Sequence, residues 1–300
     1  MNFQTGEILY IDKPYRWTSF DVVNKVRWLL CKRLGTKKLK VGHAGTLDPL
    51  ATGVMIVCTG RATKRIDELQ AHTKEYVATL RLGATTPSFD LEHDIDAYYP
   101  TEHITRELVE NVLQTFHGRI EQVPPAYSAV KVDGKRAYDL ARKDKDVELK
   151  PKVLVIDEIE LMEWHFPDAE ISPSQEGQGI LEGIAQSNGL TQPAPIGGES
   201  DGRASSIPRT GMRNKAFLTS PAQPTDSSSY PSITIRVVCS KGTYIRALAR
   251  DIGQALGSGA HLTALRRVRV GNIHVNDCLT MDTFAEWLDA QTIEQPDTNS

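Results

Sequence analysis

The chain has 300 residues, 40% of them hydrophobic and 24% charged, with a formal net charge of -3; that is enough for one large or two moderate domains with a substantial core. No stretch approaches eighteen apolar residues, and the start, MNFQTGEILYIDKP, has neither a basic leader nor an apolar run ending in small residues, so neither a membrane span nor a secretory signal is expected. Cys31, Cys58, Cys239 and Cys278 stand far apart, which leaves no zinc-type pair and no redox CxxC, and a cytoplasmic protein is the expectation.

Glu7 to Asp12 reads as a short strand entering a turn at Lys13-Pro14. Thr18 followed by Asp21 makes a capping box, behind which Val23, Val26, Leu30 and Leu34 recur at helical spacing. Val22 to Leu47 contains no Asp or Glu but holds Lys25, Arg27, Lys32, Arg33, Lys37, Lys38 and Lys40. This helix should therefore bury one stripe and expose a basic face. Gly42 to Gly53, rich in Gly, Pro and small polar residues, reads as a loop leading to a short strand from Val54 to Cys58. Arg61 to His72 has helical character, and Tyr76, Ala78, Leu80 and Leu82 alternate with Val77, Thr79 and Arg81 as a strand. Thr101 to Phe116 is an amphipathic helix by its Ile104, Leu108, Val112 and Phe116 stripe. Gly118 to Lys150 reads as a polar segment, and Val153 to Phe166 as an edge or half-buried strand.

From Pro167 to Pro231 the composition changes: eight of the sixteen prolines, eight glycines and ten serines fall in 65 residues. This is linker or disorder composition. The strand pattern resumes at Ser232 to Ser240, with Ile233, Ile235, Val237 and Cys239 on one face. The segment is thus read as a long excursion from a hairpin joining two adjacent strands, tolerable because loop-closure entropy rises only logarithmically with length. Thr243 to Leu256 has helical spacing and ends at Gly257; Val268 to Ile273 is a short strand; Phe284, Trp287 and Leu288 mark a last helix before a polar tail from Gln291. A second acid-free stretch, Pro231 to Arg250, holds Arg236, Lys241, Arg246 and Arg250, with Arg266, Arg267 and Arg269 soon after. Such fields can bind phosphates despite an acidic total, although charge runs alone fit solvated faces equally well. Mixed strands and helices in this order argue for an α+β domain over residues 1–290, interrupted at 167–231, with 291–300 as tail.

Gly42-His43-Ala44-Gly45-Thr46-Leu47-Asp48-Pro49-Leu50-Ala51-Thr52-Gly53 presents one carboxylate inside a Gly-rich loop. Pro49 fixes its own φ and restricts the backbone of Asp48, so the direction of that side chain is partly set by covalent geometry. The loop lacks the lysine ending of a phosphate-binding loop, and His43 with Asp48 is too little for a metal site. Residue types alone leave a purely structural loop as an equal alternative.

The same twelve residues resemble the catalytic loop of the bacterial tRNA pseudouridine-55 synthase family, in which the aspartate is the nucleophile. Leu9 to Pro14 resembles that family's lysine-proline motif, Lys74-Glu75-Tyr76-Val77 its active-site tyrosine motif, and Ser240 to Arg246 the segment whose arginine pairs with the aspartate. The resemblance implies a pseudouridine synthase fold, a central mixed, mostly antiparallel sheet flanked by helices. It implies isomerisation of uridine-55 in the T arm of tRNA without metal or organic cofactor, by a monomer needing no obligate protein partner. Asp48, Tyr76 and Arg246 become the catalytic candidates, and Lys13, His43, Tyr244 and Val268 the substrate contacts.

Breaking N1–C1' and rejoining uracil through C5 asks for an ionised carboxylate beside an electron-poor sugar centre, and a guanidinium would keep that carboxylate charged and aimed. Residue types do not distinguish acylation of the sugar, attack on the base, or a glycal intermediate; the glycal route with Tyr76 as base is favoured. Val268 stands where the family commonly has leucine. Val123 to Lys131 resembles the start of an RNA-clasping insertion, whose Lys131, Lys135, Arg136, Arg142 and Lys143 would touch backbone. With the polar tail running to Ser300, the small C-terminal RNA-binding domain that many relatives carry is not expected here. A non-catalytic RNA-binding protein on this scaffold, or a synthase for another RNA, is the alternative.

Overall fold

A computed structural model describes residues 1–128, 149–167 and 230–294, with the backbone of a short hairpin at 131–132 and 135–136. The expectations for 168–229, for the tail beyond 294, and for Lys131, Lys135, Arg136, Arg142 and Lys143 lie outside the described side chains.

Strand β1 (Ile8–Lys13) alternates buried and half-buried residues and leads into helix α1 (Ser19–Leu34). The Thr18–Asp21 capping box is present, Val22, Val23, Val26 and Leu30 are buried, and Gly35 ends the helix at φ 63°. Next come β2 (Val41–Ala44), β3 (Ala51–Thr59), a 3-10 turn (Gly60–Arg65), helix α2 (Ile66–Gln70) and β4 (Lys74–Leu82). A two-stranded ribbon, β5 (Ala84–Thr85) and β6 (Ala97–Tyr98), precedes α3 (Arg106–Thr115), β7 (Gly118–Gln122) and the hairpin of β8 (Lys131–Val132) and β9 (Lys135–Arg136). The chain closes with β10 (Lys152–His165), β11 (Ser232–Cys239), α4 (Ile245–Ala255), β12 (Ala260–Val270), β13 (Ile273–His274), β14 (Leu279–Thr280) and α5 (Phe284–Asp289).

The main sheet runs β14-β1-β3-β12-β4-β11-β10-β7, with β2 on β3 and β13 on β12. Only β1–β14 and β3–β12 are parallel, so the expected mixed, mostly antiparallel sheet is present. Helices α3 and α4 cover β4, β10, β11 and β12 through Val109, Leu113, Leu248 and Ile252. Helices α1 and α5 cover β1 and β3 through Val22, Val26, Leu30, Phe284 and Leu288. Among the described residues no helix is long and apolar enough to cross a membrane.

Several element boundaries differ from the sequence reading. Gly42–Gly53 is not all loop: its first residues belong to β2 and its last to β3, leaving 45–50 between them. The third helix begins at Arg106, because Thr105 caps it by accepting from Leu108 N, and Ile104 is buried just before it. The polar segment after it opens with β7, whose alternation is half-exposed because it forms the sheet's edge. Strand β10 pairs with β7 over Lys152–Ile156 and with β11 from Ile156 to His165, so the two ladders overlap only at Ile156. The largest miss is β12. Instead of a short strand from Val268, it is an 11-residue element at the sheet's centre, between β3 and β4. Its His261, Thr263, Arg266 and Arg267 conceal the apolar pattern by which strands are recognised.

Candidate active site

Asp48 opens a tight turn in which its carbonyl accepts from Ala51 N at 3.1 Å, with Pro49 at the second position that favours its fixed φ. The loop is fastened on several sides. Ser19, at the start of α1, accepts from Leu47 N (2.9 Å) and donates to Leu47 O (3.0 Å) through one hydroxyl. Lys13, fully buried, donates to Pro49 O at 3.2 Å and to the carbonyls of Pro14 and Trp17. Arg267, also buried, donates from Nε to Val54 O (2.7 Å) and from Nη2 to Gly45 O (3.1 Å). Gly53 allows the approach of β12 that this needs: at φ 106°, a Cβ there would lie 2.1 Å from Arg267 O.

Arg246, on the first turn of α4, also reaches this turn. Its Nε donates to Asp48 Oδ2 at 2.9 Å and its Nη2 to Asp48 Oδ1 at 3.1 Å, a two-pronged pair. The remaining donors meet Ser88 O (3.2 Å) and Tyr127 O (2.8 Å), and Asp90 Oδ2 stands 3.7 Å from Nε. The arginine side chain is only 6% exposed, whereas that of Asp48 is 36% exposed. Burial alone would lower the guanidinium's pKa; Asp48 and Asp90 outweigh it, and the net shift is upward. The carboxylate is therefore oriented by a permanently charged partner yet open to a cleft lined by Asp48, Ala51, Asp90, Arg246, Leu262 and Leu265 among others.

Among the described residues, two non-glycine residues have positive φ, Arg16 (63°) and Phe89 (60°). Both flank this site: Phe89 sits between Ser88 and Asp90, and Arg16 lies in the turn whose carbonyls Lys13 holds. Such strain persists where surrounding structure over-determines it, which is common at functional sites.

Tyr76, on β4, is buried at 8% exposure in the core that includes Leu47 and Ala51. Burial pushes its phenol above the ordinary value, while the Arg267 guanidinium acts in the opposite sense. His43 lies on β2; its Nδ1 is buried and without a partner among the described residues, and burial, then Arg267, lowers its pKa. Burial pulls Lys13 down to about 8, with Asp48 and Asp21 acting to raise it. Tyr244 caps α4; Gln122 accepts from its N at 2.9 Å and donates to its carbonyl at 3.2 Å. Leu265 is among the residues lining the cleft and Val268 is not; Val268 lies at the strand's bulge, between Arg267 and Arg269.

Sequence reasoning missed Asp90, Leu265 and Arg267. Nothing around Asp90 marks it; recognising β12 would have separated the outward Arg266, paired with Asp12 at 2.7 Å, from the inward Arg267. The second basic field is largely taken up by internal pairs: Arg236 with Glu75 and Glu158, Arg250 with Asp251, and Arg269 with Glu75. It is not the open phosphate field its composition suggested. Among the described residues no group of His, Cys, Asp and Glu is arranged to hold a metal ion.

The sequence matches the family described as TruB family pseudouridylate synthase (N terminal domain) over residues 32–178, and the tRNA pseudouridylate synthase B C-terminal domain over residues 246–297. It is 57% identical over 295 residues to the tRNA pseudouridine synthase B of Phocaeicola vulgatus, covering 98% of each chain. The protein of that name from Flavobacterium johnsoniae is 39% identical over 284 residues, covering 94% of this chain and 96% of the relative. A chain in a crystal structure of a Cbf5-Nop10-Gar1 complex superposes with a TM-score of 0.55 at 24% identity, over 96% of this chain and 56% of that one; this likeness shows the fold.

Proposed function

The chain belongs to the TruB family of pseudouridylate synthases, and from that premise we propose that it converts uridine-55 in the T arm of tRNA to pseudouridine, with Asp48 as the catalytic carboxylate. The observation that carries this reading is the two-pronged Arg246–Asp48 pair, with the arginine buried and the carboxylate open to the cleft. A carboxylate facing an anionic polymer has no use in binding alone. Held charged beside a ribose, it can attack C1' or stabilise the positive charge that develops there as the N1–C1' bond breaks.

The uridine must leave the stack of a folded loop, which costs a few kcal/mol, roughly, and is repaid by contacts to the extruded base. Leu262 and Leu265 supply an apolar wall for it. The freed uracil turns, C5 bonds to C1', the C5 proton departs and N1 regains one, so the product has the mass of the substrate. Tyr76 is assigned to packing beneath the base. On a glycal route its hydroxyl would also accept the C2' proton; this needs an ionised phenol, which burial opposes and Arg267 favours. His43 and Tyr244 are assigned to the displaced nucleotides, and Lys13 to holding the loop.

The test is a purified T-arm stem-loop incubated with wild type and with Asp48→Asn. Wild type should give pseudouridine at position 55, detected by selective derivatisation without a change in RNA mass, while the variant binds the RNA and gives none. Product from the variant would remove Asp48 from its role, and wild-type binding without product would favour a non-catalytic RNA-binding protein.

A further inference from the structure

Arg16 combines three features that its own fold does not explain. It is exposed, and its backbone sits at φ 63°, a left-handed conformation that glycine adopts freely and a long side chain adopts at a steric cost. It occupies the turn whose Pro14 and Trp17 carbonyls accept from Lys13, the same ammonium that holds Pro49 O beside Asp48. The turn is therefore fixed to the catalytic loop, with Arg16 as its exposed residue.

Within the protein its guanidinium has little to do. Among the described residues it pairs with no carboxylate, and it lies 5.6 Å from the Tyr15 ring centroid, close to the outer limit of about 6 Å for a cation–π contact. The contrast with the second basic field is sharp, because there the arginines are neutralised by Glu75, Glu158, Asp12 and Asp251. Arg16 stands ahead of the acid-free stretch from Val22 to Leu47, whose Lys32, Lys37, Lys38 and Lys40 are exposed, with Asp21 between. An unpaired cation kept in a strained conformation, on a rigid support beside the cleft, fits an anionic ligand that approaches the cleft.

We propose that Arg16 is a phosphate-binding residue for the RNA substrate, contacting the backbone next to the extruded nucleotide. This rests on the reading of the chain as an RNA-modifying enzyme. The partner is committed to as RNA phosphate because the cleft takes a nucleotide on that reading and Arg16, on the turn tied to the catalytic loop, has no carboxylate partner among the described residues. The strain is the distinguishing mark: a residue serving only the fold would stabilise it, whereas here removal of the side chain relieves the backbone.

The experiment compares Asp48→Asn with Asp48→Asn/Arg16→Gly and Asp48→Asn/Arg16→Lys, so that RNA is bound without turnover. Binding of the T-arm stem-loop is measured from 50 to 200 mM salt, with thermal unfolding of each protein. Arg16→Gly should weaken binding several-fold, reduce the slope of log affinity against log salt by about 1, and leave Tm equal or higher by about 2–4 °C. Arg16→Lys should keep the slope. Unchanged affinity and slope in Arg16→Gly would overturn the proposal, as would weaker binding with an unchanged slope and a lower Tm, which would make Arg16 a residue of the fold. Failure of the functional reading appears separately, as absence of pseudouridine from the Asp48-intact protein.

Discussion

Arg246 shows how little of a site's energetics lies in the charge of one residue. A lysine at 246 would keep that charge but lose the planar fork that meets both carboxylate oxygens, and with it the donors to Ser88 O and Tyr127 O. Misplacement of a reacting group by about 1 Å can cost roughly 100-fold in rate. Arg246→Lys should therefore lower the single-turnover rate about 100-fold while RNA affinity changes less than about twofold; equal loss in both would assign Arg246 to binding. His43 makes a pH prediction. Its folded pKa lies below 6.5, so on acidification the unfolded chain takes up the proton first. The neutral imidazole's contribution is thus fully present above about pH 6.5 and is lost as pH falls through the folded value. The stability difference between wild type and His43→Asn, from urea unfolding, should shrink between pH 7 and pH 5. A difference independent of pH would place the imidazole's protonation outside the balance.

At the scale of elements, the site depends on β3 and β12 running side by side. Gly53 and Gly35 both have positive φ, but a Cβ at 53 would lie 2.1 Å from Arg267 O while one at 35 would meet nothing within 4 Å. Gly35→Ala should cost about 1 kcal/mol, the conformational part alone. Gly53→Ala should cost about 3 kcal/mol or more, since it also pushes β12 away; urea unfolding of the two variants measures the difference, and equal losses would mean the strands separate without penalty. The elements legible in the sequence were those with local signals: the capping box of α1, the alternation of β4, the glycine after α4. Strand β12 was illegible because its inward positions include His261 and Arg267, buried at 1% exposure each. Such side chains read as surface until partners distant in sequence are known; here they are the carbonyls of Ala84, Val54 and Gly45.

For the whole molecule, the pairing of β10 with β11 continues to His165↔Ser232. We therefore expect that replacing residues 168–229 by a short Asn-Gly linker leaves the paired strands in place, since closing a shorter loop costs less entropy. The shortened protein should unfold cooperatively with a Tm within about 5 °C of the full chain and retain pseudouridine formation; loss of RNA binding with an intact fold would assign that segment to the substrate. By itself the sequence determined the hairpin that this segment interrupts, the stripe of α1, and the carboxylate loop with its arginine, because turn chemistry, periodicity and short motifs are local properties of the chain. Only the tertiary structure decided that Leu265 lines the cleft, that Asp90 and Arg267 stand beside the carboxylate loop and its arginine, and that most arginines of the second basic field are met by internal carboxylates. Those outcomes depend on which residues a ten-stranded sheet brings face to face from distant parts of the chain, as far apart as Ile11 and Leu279, and pairing at such separation leaves no mark in local spacing.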